Sequence, residues 1–304
     1  MTNDIDTLAT ALYVRTDDLL RQYPDLAPWR PKVGLQPRLT DAELVTLAVM
    51  QALLGYTSES RWVRYAHAHL GHLFHYLPGQ PGYNRRLRAA AALITTLIRL
   101  LAADTSLWSD DVWVADSTPV ECGRSKDTTR RSDLAGWAGY GYCPSHSRWY
   151  WGAKLLLIVT CEGTVTGFGL ANPKLLGERE QARLMLADHP ANRPAPGTAI
   201  VTDKGLAGED TEEFFASPGL DLTLIRPARK DETAPRYFPN WLRQRIEAII
   251  WTLKNQLGLE RHGGRVPAGL WARVVQRLLA LNACIWHNWQ IGAPVKRSLI
   301  AYDH

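Results

Sequence analysis

The sequence predicts an α/β fold, a mixed sheet flanked by helices with an all-helical region in front of it. Two observations carry this. Residues 1–107 read as helical, with apolar positions at helical spacing. From about residue 110 short β-branched runs alternate with helical segments, the pattern of a sheet covered by helices.

In the first region, Thr40-Asp41-Ala42-Glu43 is a capping box, in which Thr40 caps the helix and Glu43 reaches back to the Thr40 N–H. Leu44, Val45, Leu47, Ala48, Gln51 and Leu54 continue that helix to Gly55. A second helix starts at Thr57 or Ser58 and runs through SRWVRYAHAHL, so the pair resembles a helix-turn-helix. A third helix is expected from Asn84 through RRLRAAAALITTLIRLLA. Strands are expected at 112–116, at 149–163 with a turn at Glu162-Gly163, at 164–171, at 198–203 and at 220–227. Helices are expected at 177–189, 209–217, 241–259 and 270–290. The domain boundary is placed near 107, giving a helical region at 1–107 and a sheet-containing domain at 108–304.

No run of about 18 apolar residues exists, so no membrane span is expected. The polar, acidic start lacks the pattern of a signal peptide, which points to the cytoplasm. Cys122, Cys143, Cys161 and Cys284 show no CxxC spacing and are expected as reduced thiols rather than a zinc site. The net charge of +5 is unevenly spread. Residues 108–225 carry a net −5, and residues 226–304 a net +8. A basic segment beside an acidic centre suits a polyanion held next to a metal.

The acidic centre has candidates for that metal. Asp116 follows VWVA and Asp203 follows TAIVT, so each is expected to end a short strand in the middle of the sheet, where ligand sites gather. A half-buried carboxylate is costly unless a cation offsets it. Hard oxygen ligands of this kind suit Mg²⁺. Glu247 is the third acid. It shares one helical stripe with Arg243 and Lys254, at offsets of four and seven, and the opposite stripe is apolar. Those offsets alone fit an ordinary Arg–Glu pair on a solvated face better than a metal ligand.

Three segments carry a resemblance to the DDE transposases of bacterial insertion sequences. They are Ala115-Asp116-Ser117-Thr118-Pro119-Val120, Val201-Thr202-Asp203-Lys204-Gly205, and Arg243, Glu247 and Lys254 at the spacing of the family's Y-R-E-K signature. Asn240 stands where that signature has Tyr, and Leu206 where many relatives have Tyr. With Cys122 shortly after the first segment, the chain is most similar to insertion-sequence family nine-eight-two, over roughly residues 40–290.

The resemblance implies a ribonuclease H-like, five-stranded mixed sheet with the triad on strand one, strand four and a late helix. It implies a transposase that hydrolyses phosphodiester bonds at transposon ends and transfers the 3′-OH into target DNA. Two Mg²⁺ ions, with Mn²⁺ as a substitute, would be held by Asp116, Asp203 and Glu247. Arg243, Lys254 and Lys204 would contact DNA phosphates. The implied partners are terminal inverted repeats, target DNA and further copies of the chain, as a dimer or larger assembly on the nucleoid. A metal-dependent nuclease of the same fold and a non-catalytic DNA-binding relative stand as alternatives.

Other signals point elsewhere. His67, His69, His72 and His75 lack the i,i+4 spacing of a helical zinc pair and read as a polar face. Trp137, Trp149 and Trp151 read mostly as core, with base stacking as the alternative. The stretch 123–148 reads as a long DNA-contacting or partly disordered loop.

Overall fold

The structure is a computed structural model that describes residues 4–31, 33–143, 147–187, 193–228 and 238–296, with 299 and 302. The chain forms two compact units, one of residues 1–101 with 253–304 and the other of residues 102–252.

The first unit is helical. Helix α1 (Ile5–Gln22) starts at Asp4, whose carboxylate accepts from the Thr7 N–H at 2.7 Å. Helix α2 (Asp41–Leu53) starts at the expected capping box, with Thr40 N–H donating to Glu43 at 2.6 Å and Glu43 N–H donating to Thr40 at 3.1 Å. Helix α3 (Glu59–His69) is capped by Ser58. The single helix expected from Asn84 is instead two, α4 (Gln80–Ala89) and α5 (Ala91–Ala103), with a turn at Ala90. Pro81 at the start of α4 explains the earlier beginning, because its missing N–H costs nothing in the first turn. Nothing in the alanine run itself marks the turn.

The last helix of the first unit is a 24-residue span, Pro267–Gln290, buried on all sides from Leu270 to Asn288 except at Trp271. A helix apolar around most of its circumference must be wrapped by others. It packs against α1, α2 and α4. The structure therefore divides the chain differently from the expected 1–107 and 108–304, since the C-terminal helix belongs with the N-terminal ones.

Buried polar groups tie this helix in. Gln276 donates to the Ala48 carbonyl at 2.7 Å and to Gln51 at 3.0 Å, and the Tyr83 hydroxyl donates to the same Gln51 oxygen at 2.6 Å. Glu59 accepts from Arg273 and, at 2.6 Å, from Asn84. Arg277 lies beside them, and burial brings its guanidinium down to about 10.

The second unit is built on one sheet. Its strands are β1 (Val112–Gly123), β2 (Gly139–Cys143), β3 (Arg148–Thr160), β4 (Val165–Ala171), β5 (Ala199–Thr202) and β6 (Thr223–Ile225). β3 runs antiparallel to β1 on one side. On its other side it pairs antiparallel with β2 near its start and β4 further along. β1 and β5 are parallel, as are β5 and β6. The β3–β4 turn is the expected one, with Gly163 at φ +108°. Among the described residues, the sheet has six strands rather than five. The extra strand, β2, and a short helix α6 (Lys126–Arg131) occupy much of the stretch expected as a loop. Residues 144–146 of that stretch lie outside the described residues.

Helices α7 (Glu178–Ala187) and α8 (Glu209–Phe215) cover one face of the sheet. Trp113 and Ala115 of β1, Leu156 and Ile158 of β3 and Ile200 of β5 meet Ala182, Leu186 and Phe215 there. Helix α9 (Asn240–Asn255) follows β6 in the chain. No helix among the described residues is long and apolar enough to cross a membrane.

The Glu59–Arg273 pair gives a direct test of the first unit. Both residues are buried, and removing one partner of a buried pair leaves the other charge uncompensated. Glu59→Ala is expected to destabilise the protein by about 3–5 kcal/mol in chemical denaturation. A loss below about 1 kcal/mol would mean that the pair does not constrain the fold.

Candidate active site

The parallel pairing of β1 with β5 sets the site. Ala115 lies opposite Thr202, so Asp116 and Asp203 are the next residue on each of two neighbouring strands. Asp116 does not end its strand, as the sequence suggested. β1 continues for seven more residues because β3 pairs with it as far as Gly123. It is β5 that stops, at Thr202, and Asp203 caps the short turn that follows.

Each aspartate is held by a backbone donor. Ser117 N–H donates to Asp116 Oδ1 at 2.8 Å, and Gly205 N–H donates to Asp203 Oδ1 at 2.7 Å. Both carboxylates are partly buried. Burial, with Asp203 nearby, pushes Asp116 up to about 7. Asp203 is also raised, first by burial and then by the charge of Glu178. Arg243 opposes both shifts, and Lys154 opposes that of Asp203.

Glu178 is the residue that the sequence reading missed. It is the first residue of α7, where an acid favours the helix N-terminus and so gives no distinctive signal. Its Oε1 accepts from the Ser117 hydroxyl and from Lys154 Nζ, the latter at 2.8 Å. Alternation along β1 puts Ser117 on the face covered by α7 and Asp116 on the opposite one. Gly205 has no side chain to fill the space beside it. A Cβ there would lie 2.0 Å from Glu178 Oε2 and 2.9 Å from Asp203 Oδ1. These distances bound the separation of the two oxygens at about 5 Å.

Glu247 is placed differently. Its side chain is 54% exposed and forms an ion pair with Arg243 at 3.1 Å, one turn earlier on α9. Lys204 is exposed, in the turn after Asp203. Lys254 was expected to stand ready for a phosphate. Its side chain is only 15% exposed and pairs with Glu260 at 3.1 Å. Among the described residues, no three His, Cys, Asp or Glu side chains are gathered closely enough to hold a metal as they stand. Glu178 is turned to Lys154, and Glu247 to Arg243.

The remaining sequence signals resolve simply. His67, His69, His72 and His75 are exposed, and His72 lies 3.4 Å from Asp6. Trp151 is buried with Leu134 and Ala138, with Trp137 packed against them. Trp149 is exposed and lies against Tyr142. Among the described residues, no cysteine is joined in a disulfide.

Residues 107–283 match the family model described as the transposase DDE domain. The chain belongs to this transposase family. No protein of curated function matches the sequence. Among solved structures, it is similar to a piggyBac transposase synaptic complex with hairpin DNA, at 9% identity and a TM-score of 0.43. That match covers 97% of this chain and 76% of the other.

The raised aspartates make the stability of this transposase depend on pH in the absence of divalent ions. An unfolded Asp ionises near 3.8, whereas folded Asp116 keeps its proton to about 7. Between those values the unfolded chain binds fewer protons, so stability falls as pH rises, and it levels off above about 7. Asp116→Asn removes this contribution. In EDTA, the variant's stability relative to wild type is expected to grow from pH 5 to pH 7 and then stay constant. A difference independent of pH would show that Asp116 ionises normally in the fold.

Proposed function

We propose that this transposase cuts phosphodiester bonds at the ends of a DNA segment and joins the freed 3′-OH to target DNA, using divalent metal held by Asp116 and Asp203. The observation that carries the proposal is their placement, side by side where β5 ends and β1 runs on. The donor set fits a hard cation such as Mg²⁺, or Mn²⁺ in its place, since every candidate ligand is a carboxylate oxygen. Burial raises both aspartates, a cost that a cation would offset, and Gly205 lets the carboxylates of Asp203 and Glu178 come together where any Cβ would collide with them. When bound, the metal supplies a water of lowered pKa and stabilises the leaving 3′ oxygen.

The chain's own residues do the rest. Asp116 and Asp203 would hold the divalent metal and, through it, set where the scissile phosphate lies relative to the sheet. Glu247 is the third acid of the proposed triad, and in this structure Arg243 holds it. Arg243 carries positive charge near both aspartates, which suits a phosphodiester anion entering from that side. Lys204, exposed in the turn after Asp203, is proposed as a contact to the DNA backbone next to the cut, giving register without base information. Lys254 is proposed as a further phosphate contact, which requires it to leave Glu260. The helices of residues 1–107, with α2 and α3 as a helix-turn-helix-like pair, are proposed to recognise the DNA end. Two or more copies would assemble on a pair of ends. A nuclease that cuts without joining is the second reading, because the same carboxylates serve both reactions.

A strand-transfer assay on matched terminal repeats in Mg²⁺ separates the readings. Asp116→Asn and Asp203→Asn are each expected to reduce cleavage at least about a thousandfold, or about 4 kcal/mol of transition-state stabilisation. Glu247→Gln is expected to do the same. Cutting at the wild-type rate by either Asp variant would overturn the proposal, and cutting without joined product would favour the nuclease.

Salt titrations test the phosphate contacts. Lys204→Ala is expected to lower the slope of log affinity against log salt by about one unit, evenly across sequences. An unchanged slope would make Lys204 an ordinary surface lysine.

A further inference from the structure

We propose that Glu178 is a further carboxylate of the metal centre and shares a divalent cation with Asp203 through its Oε2. The inference rests on the reading of Asp116 and Asp203 as metal ligands and extends it to a residue outside the proposed triad.

Three observations support it. First, the two oxygens of Glu178 are differently employed. Oε1 accepts from Ser117 and Lys154, which fixes the carboxylate on the α7 face of the sheet. Oε2 is directed at Gly205, toward Asp203. Second, Glu178 Oε2 and Asp203 Oδ1 are at most about 5 Å apart. Oxygens bound to one octahedral Mg²⁺, at 2.0–2.1 Å each, lie roughly 3–4 Å apart, so a small movement of either side chain closes on an ion. Third, an open cleft of about 650 Å³ lies beside Lys154, Glu178, Gly205 and Arg179, which gives a hydrated ion and a phosphate room to enter.

Position in the sheet gives Glu178 a role that Glu247 does not duplicate. Asp116 leaves β1 on the face away from α7, Glu178 approaches from the α7 face, and Asp203 stands between them where β5 ends. Asp203 can thus face a cation on either side, one shared with Asp116 and one with Glu178. Lys154 supplies positive charge beside Glu178.

The test is Mn²⁺ binding to the full-length protein without DNA, followed by electron paramagnetic resonance. Glu178→Gln keeps the shape and removes the charge, and its dissociation constant for at least one ion is expected to rise tenfold or more. Gly205→Ala, which places a methyl group between the two oxygens without changing charge, is expected to weaken binding similarly. It decides the question should Glu178→Gln fail to fold. Asp203→Asn is expected to lose binding altogether. Wild-type Mn²⁺ affinity in both Glu178→Gln and Gly205→Ala, with binding lost in Asp203→Asn, would overturn the role of Glu178 alone. Wild-type affinity in Asp203→Asn would overturn the metal centre itself.

Discussion

The second unit depends on the burial of two carboxylates next to each other. Charge of like sign is not brought together inside a sheet without a cause, because each group loses water and repels its neighbour. Here the cause is topological. A parallel pair of strands with Ala115 opposite Thr202 leaves no freedom in where the next two side chains stand. The rest of the local structure answers that constraint. Backbone N–H groups from Ser117 and Gly205 each take one aspartate oxygen, while Lys154 and Arg243 bring positive charge to the rim. A glycine occupies the position where any side chain would collide with an acid.

Much of this was legible in the sequence. Asp116 and Asp203 each follow a short β-branched run, and short apolar runs located β3, β4 and β5 to within about three residues. The length of β1 was not legible, because Ser117-Thr118-Pro119 reads as a turn and only pairing with β3 keeps it extended. Helix α6 and strand β2 were lost in a polar, glycine-rich stretch whose order comes from β3 rather than from its own composition. Glu178 could not be singled out, since an acid in the first turn of a helix is what ordinary capping produces. Its significance comes from strand neighbours 61 and 24 positions away, Ser117 and Lys154.

The Arg243, Glu247 and Lys254 stripe shows the limit of spacing arguments in another way. Helical periodicity placed Arg243 and Glu247 on one face, and they do meet there. Periodicity could not say that Lys254 would be drawn to Glu260, because that partner lies beyond the end of the helix. The final helix is buried around its whole circumference, and its partners are the earliest helices of the chain.

That arrangement has a consequence for how the protein is made. The helical unit is discontinuous, with its first 101 residues separated from the remainder by the whole sheet unit. A ribosome releases α1, α2 and α4 long before it has translated the helix that they enclose. Until then the faces of α1, α2 and α4 that pack on the last helix are uncovered. The sheet unit is contiguous and can complete itself meanwhile. A message truncated after residue 252 but before residue 267 therefore yields a chain with its sheet unit and carboxylates in place and its helical unit unfinished, a target for proteolysis. Translation to the last helix thus acts as a checkpoint on the whole molecule.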